Sequence, residues 1–328
     1  MRAVGRGGLV GLVGAAVVLL AGCSGSGGSK PDAADGAVTP SPTPLSASTS
    51  TPTPASASTP TSAPASTPSS ARASTPSAAD SSSVMNPKGL VTMPPTGVQW
   101  DYQIGGAYTP PPGVRVVSRD RSASPAPGLY SICYVNAFQA QPDATDWWRT
   151  NHPDLLLKTA SGEPVIDENW NEQLLDVSTD AKRAALAKIV GGWIDDCAAK
   201  GFQAVEPDNL DSYSRSQGLL TADQDAAMAA ELVRLAHGKG LAVGQKNTAE
   251  FLPRVAKIGF DFGVTEQCGV YDECGKYAAA YGGKVFDVEY DDKGFGAACH
   301  AHAGRIAIVR RDLDVSAAGG SSYVFKTC

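Results

Sequence analysis

The chain has 328 residues, of which 42% are hydrophobic and 18% charged, and it carries a formal net charge of −6 at pH 7. Residues 96–328 hold 22 basic and 30 acidic side chains, which gives this part a net charge of −8. An acidic segment of this kind argues against nucleic-acid binding and suits a cationic ligand.

The amino-terminal end has the pattern of an export signal. Arg2 and Arg6 precede the apolar run from Leu9 to Leu20, which at about a dozen residues is too short to span a bilayer. Small residues immediately before Cys23 are typical of a lipoprotein signal peptide. We therefore expect residues 1–22 to be cleaved and Cys23 to carry lipid, which would anchor the exported protein to the outer face of the cell membrane. The alternative is an ordinary secretory signal and a free secreted protein.

Residues 23–95 consist mainly of Ser, Thr, Ala, Pro and Gly. Such a segment cannot bury enough apolar surface to offset the entropy of ordering it, so we expect a disordered linker. Residues 96–328 then have the right length for one domain. We expect that domain to be monomeric.

Eight short runs rich in β-forming residues recur through this domain. In chain order they are Val98–Ile104, Val114–Asp120, Tyr130–Asn136, Ala204–Asn209, Ala242–Asn247, Phe262–Glu266, Lys284–Tyr290 and Ile306–Arg310. From the fourth run onward, the spacing leaves room for a helix in each gap.

Three helices are predicted between these strands. Thr179–Lys200 carries apolar residues three and four apart and ends before Gly201, and Thr221 begins a second helix with a capping-box pattern. Asn247–Ile258 is predicted as a third. Strand and helix alternate, so the sequence predicts an α/β fold with a parallel sheet, closed as a single (β/α)8 TIM barrel. An open doubly wound sheet is disfavoured, because no Gly-x-Gly-x-x-Gly follows a strand.

Polar side chains follow the carboxyl ends of six of the predicted strands. In a parallel barrel these ends share one rim, where active sites are built. Four histidines are present, and none lies at a strand end, so neither a serine or cysteine hydrolase nor a metal site is expected. We expect no cofactor. Paired carboxylates among tyrosines and amides are typical of glycosidic bond cleavage.

Apart from Cys23, six cysteines remain, an even number that predicts three disulfides in an exported protein. Cys268 and Cys274 lie close together around a loop after the sixth strand, which favours a local bridge. For the other four we expect Cys133 to pair with Cys197 and Cys299 with Cys328, although sequence alone leaves their connectivity open.

Several motifs of the domain are similar to those of a known family. They are Trp100–Gln103, Ala204–Asp211, Gln245–Asn247, Glu266–Cys268 with Cys274, and Val288–Tyr290. In order and spacing they resemble glycoside hydrolase family 114, the endo-α-1,4-polygalactosaminidases and their relatives. The resemblance covers residues 98–323 and implies a barrel that cuts a partly deacetylated galactosamine polymer. It also implies that the catalytic carboxylates are Asp208 and Glu266.

Lys246, one strand away from Asp208, favours the ionised form of that carboxylate. We therefore expect Asp208 to be the nucleophile and Glu266 the general acid/base of a retaining mechanism. A buried structural ion pair is the alternative role for Glu206 and Lys246. The residues assigned to substrate binding are Asp101, Tyr102, Tyr134, Asn136, Glu206, Asn209, Asp211, Lys246, Asn247, Gln267, Glu289 and Tyr290.

Two functions from different classes fit these features. The first is a secreted, lipid-anchored, endo-acting hydrolase of an α-1,4-linked, galactosamine-rich polysaccharide. The second is a non-catalytic cell-surface lipoprotein that binds such a polysaccharide on the same barrel. The presence of both Asp208 and Glu266 favours the enzyme.

Overall fold

The computed structural model describes residues 91–328. The predicted signal peptide, Cys23 and nearly all of the linker lie outside this range. Among the described residues, no helix is both long and apolar enough to cross a membrane.

The described residues form twelve strands and seven α-helices. The strands are β1 (Gln99–Gln103), β2 (Val114–Asp120), β3 (Tyr130–Asn136), β4 (Gln139–Ala140), β5 (Ile166–Asp167), β6 (Glu172–Leu174), β7 (Ala204–Asp208), β8 (Ala242–Lys246), β9 (Phe262–Glu266), β10 (Val285–Glu289), β11 (Ala307–Arg311) and β12 (Phe325–Thr327). The helices are α1 (Thr145–Asn151), α2 (Asp180–Lys200), α3 (Ser212–Arg215), α4 (Ala222–His237), α5 (Val255–Ile258), α6 (Cys274–Tyr281) and α7 (Asp292–His302).

Nine strands form one sheet in the order β1-β2-β3-β7-β8-β9-β10-β11-β12. The first eight of these run parallel, whereas β12 pairs antiparallel with β11. The sheet curls until β11 lies beside β1. Across this seam the buried Arg311 donates to Asp101 Oδ1 at 2.9 Å and to the carbonyl of Tyr102. The result is a mixed α/β fold with a nearly closed barrel-like sheet, consistent with a TIM barrel.

The eight parallel strands coincide with the eight predicted runs to within one or two residues at each end. The helices match the (β/α)8 pattern less completely, because in the described part of the chain no helix follows β1 or β2. The connections 104–113 and 121–129 are too short to hold a helix and two loops. The regular alternation of strand and helix therefore begins only after β3.

Two of the three predicted helices form as the sequence indicates. Thr179 caps α2 by accepting a hydrogen bond from the backbone N–H of Lys182, and Gly201 ends it in the left-handed conformation at φ 93°. Thr221 and Gln224 form the capping box that starts α4. Both helices place their apolar residues against the outer face of the sheet. These residues belong to the largest of the hydrophobic clusters.

The predicted continuous helix over residues 247–258 is wrong. Asn247 and Thr248 have positive φ angles of 47° and 60°, which prevent a helix from starting there. A 3-10 helix follows at Ala249–Arg254 and contains Pro253, which lacks an N–H to donate within an α-helix. Only the last turn, α5, is α-helical. Asn247, with its positive φ angle, directly follows β8 and lies at the rim.

Three disulfides join elements of the barrel. Cys133 in β3 is bonded to Cys197 in α2, Cys268 to Cys274 at the start of α6, and Cys299 in α7 to Cys328. These are the pairs expected from the sequence. The Cys268–Cys274 bridge closes the loop that follows β9, directly after Glu266.

A second, smaller sheet lies between β3 and α2. Its strands are antiparallel and have the order β4-β6-β5. The interior of the barrel below the rim is filled by apolar side chains, among them Trp100, Phe262 and Phe286. Above this packed interior, at the carboxyl ends of the strands and beside the small sheet, a cavity opens.

Candidate active site

A cavity of about 400 Å³ opens at the carboxyl-end rim of the parallel strands. Eight of the residues assigned to the site from the sequence line it: Tyr134, Asp208, Asn209, Asp211, Lys246, Asn247, Glu266 and Tyr290. They come from β3, β7, β8, β9, β10 and the residues that directly follow these strands. The parallel register explains this convergence, since β3 and β7 align Asn136 with Asp208, and β9 and β10 align Glu266 with Val288.

The ammonium group of Lys246 is the centre of this cavity floor. Its Nζ atom lies 3.2 Å from Asp208 Oδ1, 3.4 Å from Glu266 Oε2 and 3.5 Å from Glu206 Oε1. Lys246 is buried, and burial alone would lower its pKa, but the three carboxylates raise that pKa well above the usual range. The lysine is therefore a fixed positive charge shared by three carboxyl groups.

Asp208 ends β7 and is largely buried, with 16% of its side chain exposed. Tyr134 donates a hydrogen bond to its Oδ2 at 2.8 Å. Burial raises the pKa of Asp208, but Lys246, the backbone N–H of Asn209 and Tyr134 together outweigh burial, so the net shift is below the ordinary value. Asp208 is therefore ionised at neutral pH, as a nucleophile requires.

Glu266 ends β9 and is more exposed, at 27% of its side chain. Tyr290 donates to its Oε1, and Asn247 donates to its Oε2 at 2.9 Å. The side-chain oxygen of Asn247 also accepts from the backbone N–H of Glu266 at 2.7 Å, so one amide holds both parts of the residue. Asp208 Oδ1 and Glu266 Oε2 can be no more than 6.6 Å apart, the sum of their distances to Lys246 Nζ.

Glu206 and Tyr102 lie beneath the cavity rather than in its wall. Both are fully buried, and the Tyr102 hydroxyl donates to Glu206 Oε1 at 2.9 Å. Burial raises the pKa of Glu206 to about 7, against the opposing effect of Lys246. The two residues support Lys246 from below, so the ion-pair interpretation of Glu206 agrees with its position, and a direct substrate contact does not.

Four more of the expected substrate-binding residues lie outside the main cavity. Asp101 is fully buried and engaged by Arg311, Gln103 and Tyr108 at the barrel seam. Glu289 is also fully buried. Asn136 sits behind the wall, and Gln267 lines a smaller neighbouring cavity. For Asp101 and Glu289 the structure supports a structural role, because neither can be reached from the rim as it stands.

Glu289 holds the loop that follows Glu266. Its Oε1 accepts a hydrogen bond from the backbone N–H of Gly269 at 2.6 Å, and the neighbouring Asp287 accepts one from the N–H of Cys268. Asp287 and Glu289 also lie within 4.8 Å of the sulfur atoms of Cys268 and Cys274. Those sulfurs are bonded to each other, so they offer no thiolate to a metal ion.

The small sheet supplies wall residues that the sequence analysis missed. Asp167, Asn169, Trp170 and Glu172 line the cavity from β5, β6 and the turn between them. From the far side of the rim, Arg215 reaches Asp167 at 2.7 Å and Asp211 at 2.8 Å. Asp120, which the sequence analysis leaves unassigned, also lines the cavity at the end of β2. The run 167–172 is acidic and contains a tryptophan, which was the available signal for a binding wall.

Two smaller cavities continue the main one in opposite directions. One, of about 370 Å³, shares Asp120 and Gln141 with it, and the other, of about 280 Å³, shares Asp211, Asn247 and Glu266. The three together form a groove across the rim with Asp208 and Glu266 in its middle part. A groove open at both ends can accommodate the interior of a polymer.

Comparison with known proteins places this geometry in a family. The profile of glycoside-hydrolase family GH114 matches residues 80–328. Ega3 of Aspergillus fumigatus, solved in complex with galactosamine, is 22% identical with a TM-score of 0.59, over 73% of this chain and 98% of that one. The glycoside hydrolase domain of PelA from Pseudomonas aeruginosa is 18% identical with a TM-score of 0.48, over 69% and 98% respectively. No curated protein matches the sequence.

At 22% identity the Ega3 structure bears on the fold alone. The family profile, by contrast, covers more than half of the chain and includes the whole barrel and its rim. The chain therefore belongs to glycoside-hydrolase family GH114 and is a glycosidase.

Proposed function

We propose that the protein is an endo-acting hydrolase of an α-1,4-linked, galactosamine-rich polysaccharide, with Asp208 as nucleophile and Glu266 as general acid/base. The observation that carries this proposal is the position of Lys246, within 3.4 Å of both carboxylates on the floor of an open cavity. A separation of at most 6.6 Å between their facing oxygens is compatible with the about 5–5.5 Å typical of retaining enzymes.

The reaction proceeds in two steps. An Asp208 oxygen attacks the anomeric carbon, the glycosidic C–O bond breaks, and the leaving oxygen takes the proton of Glu266. This step leaves Asp208 bonded to the sugar as an ester and Glu266 as a carboxylate. In the second step Glu266 takes a proton from water, the water oxygen bonds to the anomeric carbon, and Asp208 is released.

Charge supports an amino-sugar substrate. Seven carboxylate side chains line the main cavity, against the two basic side chains Arg215 and Lys246. Such an excess attracts a polycation and disfavours an anionic sugar polymer. Ega3, which was solved with galactosamine, has the same fold. The groove that extends on both sides of Asp208 and Glu266 supports cleavage within a chain.

The sequence and the disulfides support a place of action outside the cell. Three disulfides suit an exported protein, since they persist in oxidising compartments. Cys23 with its preceding small residues supports attachment to the outer face of the membrane by lipid. We propose that residues 23–90 then act as a tether that lets the enzyme reach a polysaccharide at the cell surface.

The test is the release of reducing ends from a partly deacetylated α-1,4-galactosamine polymer. We expect release by the wild-type protein and nearly complete loss with Asp208→Asn. Glu266→Gln should also stop polymer cleavage, but should retain part of its activity on a substrate with an activated leaving group, which needs no proton. Glu163→Gln, an exposed change of the same charge, is the control. Binding without new reducing ends would support the non-catalytic lipoprotein instead.

A further inference from the structure

Within the described part of the chain, Glu172, like Asp120 and Asp314, lines the main cavity without an ion pair, whereas the other four carboxylates of this cavity have basic partners. Asp167 and Asp211 are bound by Arg215, while Asp208 and Glu266 share Lys246. Among residues 91–328, no basic group lies within ion-pair distance of Glu172. Its carboxylate is half-buried and lines the cavity, and Arg215 acts on it only from beyond ion-pair distance.

A hydrogen-bond chain fixes Glu172 on the Asp208 side of the cavity. Asn136 donates to Glu172 Oε2 at 2.8 Å, and the side-chain oxygen of Asn136 accepts from Asn209 at 3.1 Å. Asn209 directly follows Asp208. Glu172 Oε1 has no hydrogen-bond partner within the described part of the chain, so one carboxylate oxygen is held in place while the other is available to a ligand.

Trp170 completes this wall. It lies on the turn between β5 and β6, two residues before Glu172, lines the same cavity and exposes 57% of its surface. An exposed indole offers a flat apolar face with a polar edge, a surface on which the C–H face of a sugar ring can rest. The indole of Trp170 and the carboxylate of Glu172 therefore line the same cavity as Asp208.

We propose that Trp170 and Glu172, the latter held from behind by Asn136, form a subsite that recognises a free amino group on the sugar ring bound against Asp208. This inference rests on the proposed function and adds the specificity of one position. The amino group of a 2-amino sugar is on the carbon next to the anomeric carbon that Asp208 attacks, so an acceptor on the Asp208 side can reach it. An ammonium group supplies the missing positive charge, whereas an acetamido group supplies none.

The electrostatics predict that this selectivity depends on pH. Burial raises the pKa of Glu172 to about 7, and the charge of Asp208 adds to this effect while the bond from Asn136 opposes it. The carboxylate form, which accepts from an ammonium group, becomes dominant as pH rises through this value. The preference for unacetylated sugar should therefore increase as pH rises toward 7, and should fall again at higher pH, where the amine of the sugar loses its own proton.

The experiment digests galactosamine polymers of known acetylation with wild type, Glu172→Gln and Glu168→Gln. Glu168 is the matched control, because it is exposed on the same turn and does not line the cavity. The ring bound to Asp208 becomes the new reducing end, and mass spectrometry identifies whether that end is acetylated. We expect wild type and Glu168→Gln to give ends enriched in unacetylated sugar. In Glu172→Gln this enrichment should fall about tenfold or more, as for loss of a hydrogen bond to a charged group.

If the Glu172→Gln variant keeps the enrichment in unacetylated reducing ends and its pH dependence, the subsite proposal is wrong. Glu172→Asp keeps a carboxylate and should keep the preference at a lower rate, which separates recognition from a folding defect. Loss of preference in both variants together with a lowered melting temperature would also count against the proposal. If the wild-type protein releases no reducing ends, the proposed function itself is wrong. If it cleaves the polymer but the acetylation of the new reducing ends is random, only the subsite is wrong.

Discussion

Three carboxyl groups share the single ammonium group of Lys246, and the pKa values of two of them shift in opposite directions. Asp208, at 3.2 Å, is closest and keeps a low pKa, whereas the fully buried Glu206, at 3.5 Å, has its pKa raised to about 7. The difference arises because Asp208 also accepts from Tyr134 and the backbone N–H of Asn209, while one oxygen of Glu206 has no hydrogen-bond partner among residues 91–328. Neighbouring residues of one strand thus acquire different charge states from their surroundings.

Replacing Lys246 by Met should move the acid limb of the pH–rate profile. As the proposed nucleophile, Asp208 must be ionised to attack, so activity should fall as pH drops through its pKa. Lys246 lowers that pKa, and without it the pKa rises, so the acid limb of kcat/KM should shift to higher pH by about one unit or more. The profile is measured on soluble polymer.

Lys188→Met is the control for this prediction, because Lys188 is exposed on α2. It should leave the profile unchanged. Lys246→Met should also destabilise the fold by about 3–5 kcal/mol, since it leaves buried carboxylates uncompensated. An acid limb that stays in place in folded Lys246→Met would show that this lysine does not set the charge of Asp208.

At the scale of elements, long and short segments differ in how far the sequence reveals them. Each parallel strand is a run of five or more β-forming residues that ends in polar groups, so its position and its rim residues could be predicted. The small sheet has strands of only two or three residues, which carry no periodic signal, and it therefore escaped prediction together with Trp170 and Glu172. Asp101 illustrates a further limit. Its partner Arg311 is 210 positions away along the chain, and only the closed seam brings them together.

The disulfides should contribute unequally to stability and activity. In the chain-entropy model, loop length sets the stabilisation. Removing Cys133–Cys197, with a separation of 64 residues, by double Ala substitution should cost about 4 kcal/mol, and removing Cys268–Cys274, with a separation of 6, about 2 kcal/mol. Denaturant unfolding measures both values.

Activity should follow the opposite order. The Cys268–Cys274 bridge fixes the loop directly after Glu266, whereas Cys133–Cys197 ties β3 to the outer helix α2. Loss of the shorter bridge should therefore lower kcat more at a temperature where both variants are folded. Equal kcat values for the two variants would contradict a role of this loop in positioning Glu266.

At the scale of the whole molecule, the folded region extends slightly before the boundary at residue 96 that the sequence suggested. Val91 packs against the interior cluster of the barrel, and the carbonyl of Thr92 accepts a hydrogen bond from Tyr130 at 2.7 Å. Composition could not reveal these contacts, because residues 91–95 resemble the preceding linker in their Thr and Pro content. The predicted acidic charge of the domain, by contrast, agrees with the acidic lining of the cavity.

A chain that starts at residue 80 should retain the full turnover of the intact protein on soluble polymer, because the tether takes no part in the chemistry. A chain that starts at residue 96 should keep its active site but melt at a lower temperature, by about 2–4 °C for each kcal/mol lost. Calorimetry and the reducing-end assay compare the two. Loss of turnover in the folded chain that starts at residue 80 would contradict the proposal that the removed residues act only as a tether.

The measurement that tests the central claim most directly is the anomeric configuration of the first product. A defined α-1,4-linked galactosamine oligomer is cleaved in the NMR tube and the new reducing end is followed before it mutarotates. Attack by Asp208 followed by water predicts that the α-anomer appears first and the β-anomer later. Initial appearance of the β-anomer would contradict a retaining mechanism with Asp208 as nucleophile, and absence of any new reducing end would contradict the proposed substrate.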